Sequence, residues 1–338
     1  MRSNLFIISF LTFSFAINLE LSKQNQPIED SRISWGTNVE SINEYPFSVA
    51  IGGYDEGGYG QVLCTASLID QEWIVTAAHC VELIQNYDFG FAVLGSVRLY
   101  NNQEATFTQS TVLEMFIHPL YNAPTADNDI ALLRIEPVEF NEGIQPILLS
   151  STIPEDQTQL KITGYGYRET GGFGRLQEAD MTLMIDEDWP AESDVIYALG
   201  STVNGYNQEP CGGDSGGPLF KVNDMDHFEL VGVTSFALSG CEDGWGPSGF
   251  QNIYYHLDWI NSTTGILSQT NDFCEDTSAC NNGELGDCEY PEENYDCLGN
   301  CIVNIDCNGD CGGVAELDEC GICGGDGSSC DFKAFVSL

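Results

Sequence analysis

Residues 211–218 read CGGDSGGP, and this stretch decides how the rest of the chain is interpreted. It places Ser215 among glycines, whose backbone freedom allows the tight turn that projects a serine hydroxyl. A serine hydroxyl is a weak nucleophile and needs a neighbouring base. Upstream, the stretch TAAHC supplies His79 and the stretch DNDIALL supplies Asp129. The three stretches together predict a site in which a histidine activates a serine.

In the order His, Asp, Ser, these stretches resemble the trypsin-like (chymotrypsin-fold) serine proteases, over about residues 33–266. The resemblance implies that Ser215 is the nucleophile, that His79 is the general base and then the acid, and that Asp129 orients His79. It assigns the oxyanion hole to the backbone N–H groups of Gly213 and Ser215. The implied reaction is peptide hydrolysis through an acyl-enzyme, with a rate that rises as His79 loses its proton.

The same resemblance assigns the substrate-binding residues. Ser235 matches the serine that supports the buried aspartate, and Phe236 and Ala237 match the strand that pairs with the substrate backbone. Glu209, six residues before the nucleophile, matches the pocket floor, where a carboxylate favours Arg or Lys before the scissile bond. Ala237 and Ser248 stand at wall positions where open pockets have glycine. A narrowed pocket that accepts small apolar residues is therefore the alternative.

Residues 32–36, RISWG, resemble the activation junction of the family. Cleavage between Arg32 and Ile33 is expected to free an apolar amino terminus that folds inward and pairs with Asp214. A buried carboxylate is costly unless it is paired, so this step can order the oxyanion hole. Trp35 departs from the small residue usual in the family at this point.

Fourteen cysteines indicate an oxidising compartment. By resemblance, Cys64 bridges Cys80 beside the catalytic histidine, and Cys211 bridges Cys241 beside the pocket. A zinc site built from these four is the rejected alternative, because their wide spacing and the expected secretion disfavour it. The other ten cysteines lie between Cys274 and Cys330. Their pairing cannot be derived from the sequence.

The first sixteen residues, MRSNLFIISFLTFSFA, are typical of a secretory signal peptide. The sequence therefore predicts a secreted protein with a signal peptide (1–16) and a propeptide (17–32). A protease domain (33–268) and a Cys-rich acidic tail (269–338) follow. The cysteine density rises sharply at the last boundary.

Short apolar runs separated by turn residues predict an all-β protease domain. The only helix expected from the pattern lies near its end, around residues 253–266. The resemblance implies two antiparallel six-stranded Greek-key β-barrels with the active site in the cleft between them. The tail is expected to be a small, disulfide-rich unit, because it has almost no aliphatic core.

The formal net charge is −42 over 338 residues, and the segment 274–338 alone carries 15 acidic residues and one Lys. So negative a surface disfavours nucleic acid and membranes as partners, which leaves a protein or peptide substrate. We expect a monomer. The resemblance implies no cofactor and no metal at the active site. In the tail, Asp306, Asn308 and Asp310 resemble the start of a calcium loop, although Cys311 and Leu317 depart from its sixth and twelfth positions.

Two other functions remain open at this point. One is a catalytically inactive binding protein that retains the protease fold, since a fold never proves an activity. The other is a cation-dependent adhesion module in the tail that carries a protease.

Overall fold

The computed structural model describes residues 33–100, 104–166, 174–187, 190, 193–223, 227–238, 246–266, 276–280, 288 and 290–328. The predicted signal peptide, the propeptide with Arg32, and Cys241 lie outside the described residues. The described residues fall into two compact units that divide after residue 268.

The first barrel follows a two-residue strand, β1 (Thr37–Asn38), and contains six antiparallel strands. They are β2 (Ser48–Tyr54), β3 (Gly60–Asp70), β4 (Trp73–Thr76), β5 (Phe89–Leu94), β6 (Thr108–Ile117) and β7 (Ala131–Ile135). Hydrogen bonding runs in the order β2, β3, β4, β7, β6, β5 and closes from β5 back to β2. Every residue of β2 and β4 is buried, which explains why both strands appear in the sequence as nearly continuous apolar runs.

The second barrel is built from the following half of the unit. Its elements are β8 (Leu148–Leu149), β9 (Gln159–Gly164), β10 (Gln177–Met184), β11 (Val195–Gly200), β12 (Thr202–Val203), β13 (Tyr206–Asn207), β14 (Pro218–Val222), β15 (Phe228–Ala237) and β16 (Ser248–Asn252). Strands β10, β11, β16, β15, β14 and β9 form a six-stranded antiparallel ring, closed by the β9–β10 pair. Strand β1 pairs with β10, β8 pairs with β15, and β12 pairs with β13. The prediction of two six-stranded antiparallel barrels is confirmed.

Two α-helices accompany the barrels within the described residues, α1 (Ala78–Ile84) and α2 (Ile253–Thr264). Helix α2 ends at Gly265, in a left-handed conformation, and matches the helix expected near the end of the domain. Helix α1 was not expected, because a seven-residue helix is too short to produce a clear periodic pattern. In the described part of the chain, no helix combines the length and the hydrophobicity needed to cross a membrane.

An aromatic cluster joins the two barrels. Phe47, just before β2, packs against Phe220 of β14 and Phe228 of β15, with ring centroids 5.1 and 5.2 Å away. Tyr45 packs against the same two rings. Phe47 and Phe220 are fully buried. This contact fixes one barrel against the other, and the residues that the sequence predicts to be catalytic come from both.

The described part of the tail contains three copies of one turn, which begin at Asp296, Asp306 and Asp318. In each copy the Asp N–H donates to the carbonyl four residues later. A glycine N–H three residues after the Asp donates back to the Asp carbonyl. The N–H six residues after the Asp donates to the carbonyl two residues before it. The identical bonds define an internal repeat with spacings of 10 and 12 residues, which was not predicted from the sequence.

Two disulfide bonds link neighbouring copies of this turn, and a third joins the first copy to Cys280 upstream. Cys280 pairs with Cys297, Cys301 with Cys311, and Cys307 with Cys323. Large apolar side chains between them are exposed, and Leu298 and Val314 are 87% and 93% exposed. The tail is therefore held by local turns and covalent bridges rather than by a hydrophobic core.

The Asp306 carboxylate already has protein partners for both oxygens. Oδ1 accepts from the backbone N–H groups of Asn308 and Asp310, at 2.9 and 3.0 Å, and Oδ2 accepts from that of Ala315 at 3.1 Å. These bonds lower the pKa of Asp306. The Asp, Asn, Asp spacing therefore fits a hydrogen-bonded turn better than a calcium loop.

Candidate active site

His79 and Asp129 lie against each other. His79 Nδ1 is 2.7 Å from Asp129 Oδ2, and the His79 backbone N–H donates to Asp129 Oδ1 at 2.9 Å. The Ser235 hydroxyl donates to Asp129 Oδ2 at 2.5 Å. The Asp129 side chain is 2% exposed, whereas that of His79 is 31% exposed. Because a carboxylate only accepts hydrogen bonds, this arrangement assigns the proton of the neutral imidazole to Nδ1 and leaves Nε2 as the base.

His79 is positioned by the short segment that leaves the first barrel. Helix α1 begins two residues after β4, and Cys80 is bonded to Cys64 of β3. A bridge that closes a loop of this size contributes about 3 kcal/mol. Thr76, at the end of β4, donates its hydroxyl to the carbonyl of Thr65 at 2.9 Å. The backbone before and after His79 is thereby fixed to β3.

Asp129 lies on the loop between β6 and β7, which the second barrel supports. Ala126 and Asn128 both adopt left-handed backbone conformations, with φ of 59° and 52°. Each is held by one side chain: Gln251 Nε2 donates to the Ala126 carbonyl at 2.9 Å, and the Asn128 N–H donates to Asp194 Oδ2 at 3.0 Å. A left-handed conformation costs a residue with a side chain about 1–2 kcal/mol. These bonds offset that cost and set the position of Asp129.

A buried histidine supports Gln251. Gln251 Oε1 is 3.3 Å from His256 Nε2, and the His256 ring packs edge-on against His118. The backbone N–H of His118 donates in turn to the carbonyl of Ile130, the residue after Asp129. Burial, followed by the proximity of His118, lowers the pKa of His256 to about 3. His256 is therefore neutral in the folded protein, with its proton on Nε2.

The turn that contains Ser215 is organised around a buried carboxylate. Asp214 is 2% exposed, and its two oxygens accept the N–H groups of Gly166 and Cys211, both at 2.8 Å. A Cβ atom at residue 166 would lie 2.6 Å from the Asp214 carboxylate, so only glycine fits there. Gly213 has φ of 97°, a conformation that L side chains rarely adopt. The glycines around Ser215 are thus required by geometry.

Ile33 and the residues after it lie in the second barrel. Ile33 is fully buried in the apolar cluster of that barrel. The N–H of Ser34 donates to the carbonyl of Glu209 at 3.0 Å. The segment after the proposed cleavage point is therefore joined directly to the residue assigned to the pocket floor.

Trp35, the departure from the family pattern, is accommodated by two contacts. Its φ of 59° is left-handed, which is costly for a residue with a large side chain. Its ring stacks on Tyr206 with the planes 6° apart and the centroids 5.1 Å apart. Its carbonyl accepts a bond from Gln208 Nε2 at 2.8 Å. The stacking on Tyr206 shields part of the Trp35 ring from solvent. Together the two contacts hold the segment beside Ile33 in place.

Three of the residues assigned to the pocket, Phe236, Ala237 and Ser248, lie on neighbouring strands. Ala237 of β15 and Ser248 of β16 are direct cross-strand partners. Glu209 and Ser248 are each 1% exposed, whereas Phe236 and Ala237 are partly exposed. The Phe236 ring lies over Gly249, where a Cβ atom would be 2.4 Å from it. Among the described residues, no hydrogen-bond partner faces the buried Ser248 hydroxyl.

The structure adds three residues to this site that sequence reasoning missed. They are Thr65, whose bonds are considered below, and the two supports of the Asp129 loop, Gln251 and Asp194. None lies in a family motif, and a polar residue inside or beside a strand gives no signal of a contact with a distant loop. Only the packing of one barrel against the other brings these contacts together.

Comparisons with known proteins agree with this geometry. A family model described as Trypsin matches residues 34–260. A brachyurin from Leptuca pugilator is 35% identical over 241 residues, which cover 68% of this chain and 97% of the relative. A collagenase from Hypoderma lineatum is 35% identical over 218 residues, 61% of this chain and 78% of the relative. Chymotrypsin-like elastase family member 1 from Bos taurus is 31% identical over 271 residues, 76% of this chain and 98% of the relative.

The family match covers most of the unit that contains the two barrels, and it includes the His, Asp and Ser stretches in order. The fold, the hydrogen bonds of the buried aspartate and these relatives lead to one conclusion. The chain belongs to the trypsin family of serine proteases.

Proposed function

We propose that this chain is a secreted serine endopeptidase that is made as a zymogen and activated by cleavage between Arg32 and Ile33. The observation that carries the proposal is the pairing of the half-buried His79 with Asp129, whose oxygens also accept bonds from Ser235 and the His79 backbone. Trypsin-like serine proteases need no cofactor, so these side chains are sufficient for the chemistry.

In this mechanism His79 Nε2 takes the proton of the Ser215 hydroxyl while the oxygen attacks the scissile carbonyl. Asp129 stabilises the imidazolium that forms. The N–H groups of Gly213 and Ser215 donate to the oxyanion of the tetrahedral intermediate, and His79 then gives the proton to the leaving amine. Water repeats the same steps on the acyl-enzyme. Only neutral His79 can start the sequence, because the imidazolium has no free lone pair to accept the serine proton.

Activation is supported by the environment of the segment after Arg32. Ile33 is fully buried, and Ser34 forms a backbone bond with Glu209. A free ammonium group at Ile33 would provide Asp214 with an opposite charge, which a buried carboxylate requires. We infer that cleavage orders the Ser215 turn through this ion pair.

For specificity, we propose a preference for Arg or Lys before the scissile bond. The carboxylate of Glu209 is buried at the assigned pocket floor, and a cationic substrate side chain would be a matching ligand. A preference for small apolar residues is the second candidate. It is supported by the side chains of Ala237 and Ser248, which are paired across the pocket strands, and by the elastase names among the relatives.

The remaining assignments follow from the sequence. We propose that residues 1–16 direct secretion, that 17–32 form the propeptide, and that the protease acts as a monomer on protein or peptide substrates. The tail, residues 269–338, is proposed to be a separate disulfide-stabilised appendage.

The test is a cleavage profile on a mixed peptide library, with protein cut at Arg32 and a Ser215→Ala control. We expect cleavage after Arg or Lys that is absent from the control. Cleavage after small apolar residues would support the assigned catalytic residues. It would also show that the substrate preference is for small apolar residues rather than for Arg or Lys. If no cleavage occurs although Ile33 is confirmed as the amino terminus, the chain is a binding protein that retains the protease fold.

A further inference from the structure

Thr65, in β3 of the first barrel, reaches the turn of the second barrel that contains Ser215. Its backbone N–H donates to the Ser215 carbonyl at 3.0 Å. Its hydroxyl donates to the carbonyl of Gly213 at 2.9 Å. The residue is fully buried. Both residues assigned to the oxyanion hole are therefore bonded to one residue of the other barrel.

The hydroxyl of Thr65 has a second partner that fixes its direction. The backbone N–H of Tyr165 donates to Thr65 Oγ1 at 3.0 Å. Because an N–H group only donates, the hydroxyl proton is available for Gly213. Tyr165 is itself immobilised, since its ring is fully buried and its hydroxyl donates to the carbonyl of Ser96 at 2.7 Å.

The Ser215 turn is thus held from two sides. From the second barrel, Asp214 accepts the N–H groups of Gly166 and Cys211. From the first barrel, Thr65 fixes the residues on either side of Asp214. There is little space between them, because a Cβ atom at residue 216 would lie 2.4 Å from the Thr65 carbonyl.

We propose that the Thr65 hydroxyl is a positioning group that holds Gly213 in the conformation in which its N–H faces the oxyanion. The inference rests on the proposed function, because it assumes that Gly213 and Ser215 form the oxyanion hole. An oxyanion hole works through donors that are fixed before the reaction. A small displacement of Gly213 therefore weakens binding of the transition state more than binding of the substrate.

The experiment compares Thr65→Val, which keeps the shape and removes the hydroxyl, with Thr65→Ser, which keeps the hydroxyl. Ser48→Ala is the matched control, because Ser48 is also fully buried and forms a hydroxyl bond to the second barrel, with Thr163 Oγ1 at 2.8 Å. All variants are made in the full chain and cut at Arg32. Active sites are counted by labelling with an organophosphonate to completion, so misfolded protein does not affect kcat.

We expect kcat per labelled site to fall about tenfold in Thr65→Val while KM stays within about twofold. The affinity for a peptide boronate, which forms a tetrahedral adduct, should fall in parallel. Amide hydrogen exchange across residues 211–217 should become faster. Thr65→Ser and Ser48→Ala should match the wild type in all three measurements.

Equal kcat and exchange in Thr65→Val and wild type would overturn the inference. A Thr65→Ser variant that behaves like Thr65→Val would also overturn it, because the hydroxyl would then not be the cause. Failure of the proposed function looks different: the wild type itself would neither hydrolyse peptides nor label. The exchange comparison would still decide whether Thr65 holds the turn.

Discussion

The unit with the two barrels and the tail are stabilised in opposite ways. In the barrels, side chains such as Phe47, Phe220 and Ile33 are fully buried, and strands distant in sequence pair with each other. In the described tail, Leu298 and Val314 are almost fully exposed, and the backbone-to-backbone hydrogen bonds join residues at most eight positions apart. The first unit depends on the hydrophobic effect, whereas the second depends on disulfides and on Asp carboxylates that accept backbone N–H groups.

This difference in stabilisation determines which of the two units can hold a catalytic site. A catalytic site needs groups from distant segments held within fractions of an ångström, and the barrels supply this through contacts such as that of Ser235 with Asp129. A row of short turns joined by disulfides brings together only segments within about twenty residues of each other. In the described tail, the carboxylates of Asp296, Asp306 and Asp318 accept bonds from nearby backbone N–H groups.

The largest effect should come from reduction of the disulfides. A phosphine reductant at neutral pH should abolish the exchange protection of residues 290–328, because the described tail has almost no buried apolar surface to replace the bridges. The barrels should keep their protection even without the Cys64–Cys80 bridge, since their core is large. Hydrogen exchange with mass spectrometry measures both in one sample. Protection of the tail that survives full reduction would contradict this view of its stability.

The next effect contrasts one buried and one exposed apolar side chain. Phe47→Ala should lower the free energy of unfolding of the barrels by about 3–5 kcal/mol, because it leaves a cavity where the barrels meet. Leu298→Ala in the tail should change stability little, since that side chain is 87% exposed. Denaturant titration in a Ser215→Ala background, which prevents autolysis, measures both. A large loss in Leu298→Ala would show that the tail buries this residue.

The contrast also explains what could be predicted from the sequence. The strands β2, β4, β5, β7, β9, β10 and β15 each overlap one of the short apolar or alternating runs in the sequence, because burial of one or both faces of a strand leaves such a pattern. Strand β6 was missed, because its half-exposed sequence TQSTVLEMFI resembles a loop. The tail repeat was missed because its unit is defined by backbone bonds, while the residues between the Asp and Cys positions vary.

The third prediction is that the barrels and the tail lose stability at different pH values. His256 is neutral when folded, with a pKa of about 3, but takes up a proton near pH 6.5 when unfolded. The unfolded state therefore binds more protons between these values, and the barrels should lose stability as pH falls through this window. The loss should be on the order of 3 kcal/mol by pH 4. In the Ser215→Ala background, His256→Gln should show a shallower loss. An unchanged slope would exclude His256 as the cause.

The tail should lose its protection from amide exchange at a lower pH than the pH at which the barrels lose stability. Backbone hydrogen bonds hold the pKa of Asp306 and Asp318 below the ordinary value of 3.8. A carboxylate with a lowered pKa stabilises the folded state above that value, and the contribution is lost as pH falls below it. Exchange protection of residues 304–327 should therefore persist at pH 4.5, where the barrels are already weakened. Loss of tail protection above pH 5 would contradict this.

The smallest effect concerns a single turn. Asp306→Ala should speed amide exchange at Asn308, Asp310 and Ala315 about tenfold, because each loses its acceptor. Asp310→Ala is the matched control, with the same change in charge in the same loop. If both variants exchange equally fast, net charge rather than the hydrogen bonds of Asp306 sets the local stability.

For the proposed active site, the sequence predicts the groups that would carry the chemistry but not those that hold them. His79, Asp129 and Ser215 lie in motifs that chemistry restricts to few residue types. Thr65, Asp194 and Gln251 act through hydrogen bonds between the two barrels, and no motif in the sequence indicates such bonds. Their roles depend on the three-dimensional packing and could only be found from the structure.

The most direct test of the central claim is stoichiometric labelling by an organophosphonate after cleavage at Arg32. The account predicts one adduct per chain, located on Ser215 by peptide mapping and absent from Ser215→Ala. In His79→Ala the labelling rate should fall by at least about a thousandfold, because the base is removed. No adduct in wild-type protein whose amino terminus is Ile33 would contradict the account, and so would an adduct on another residue.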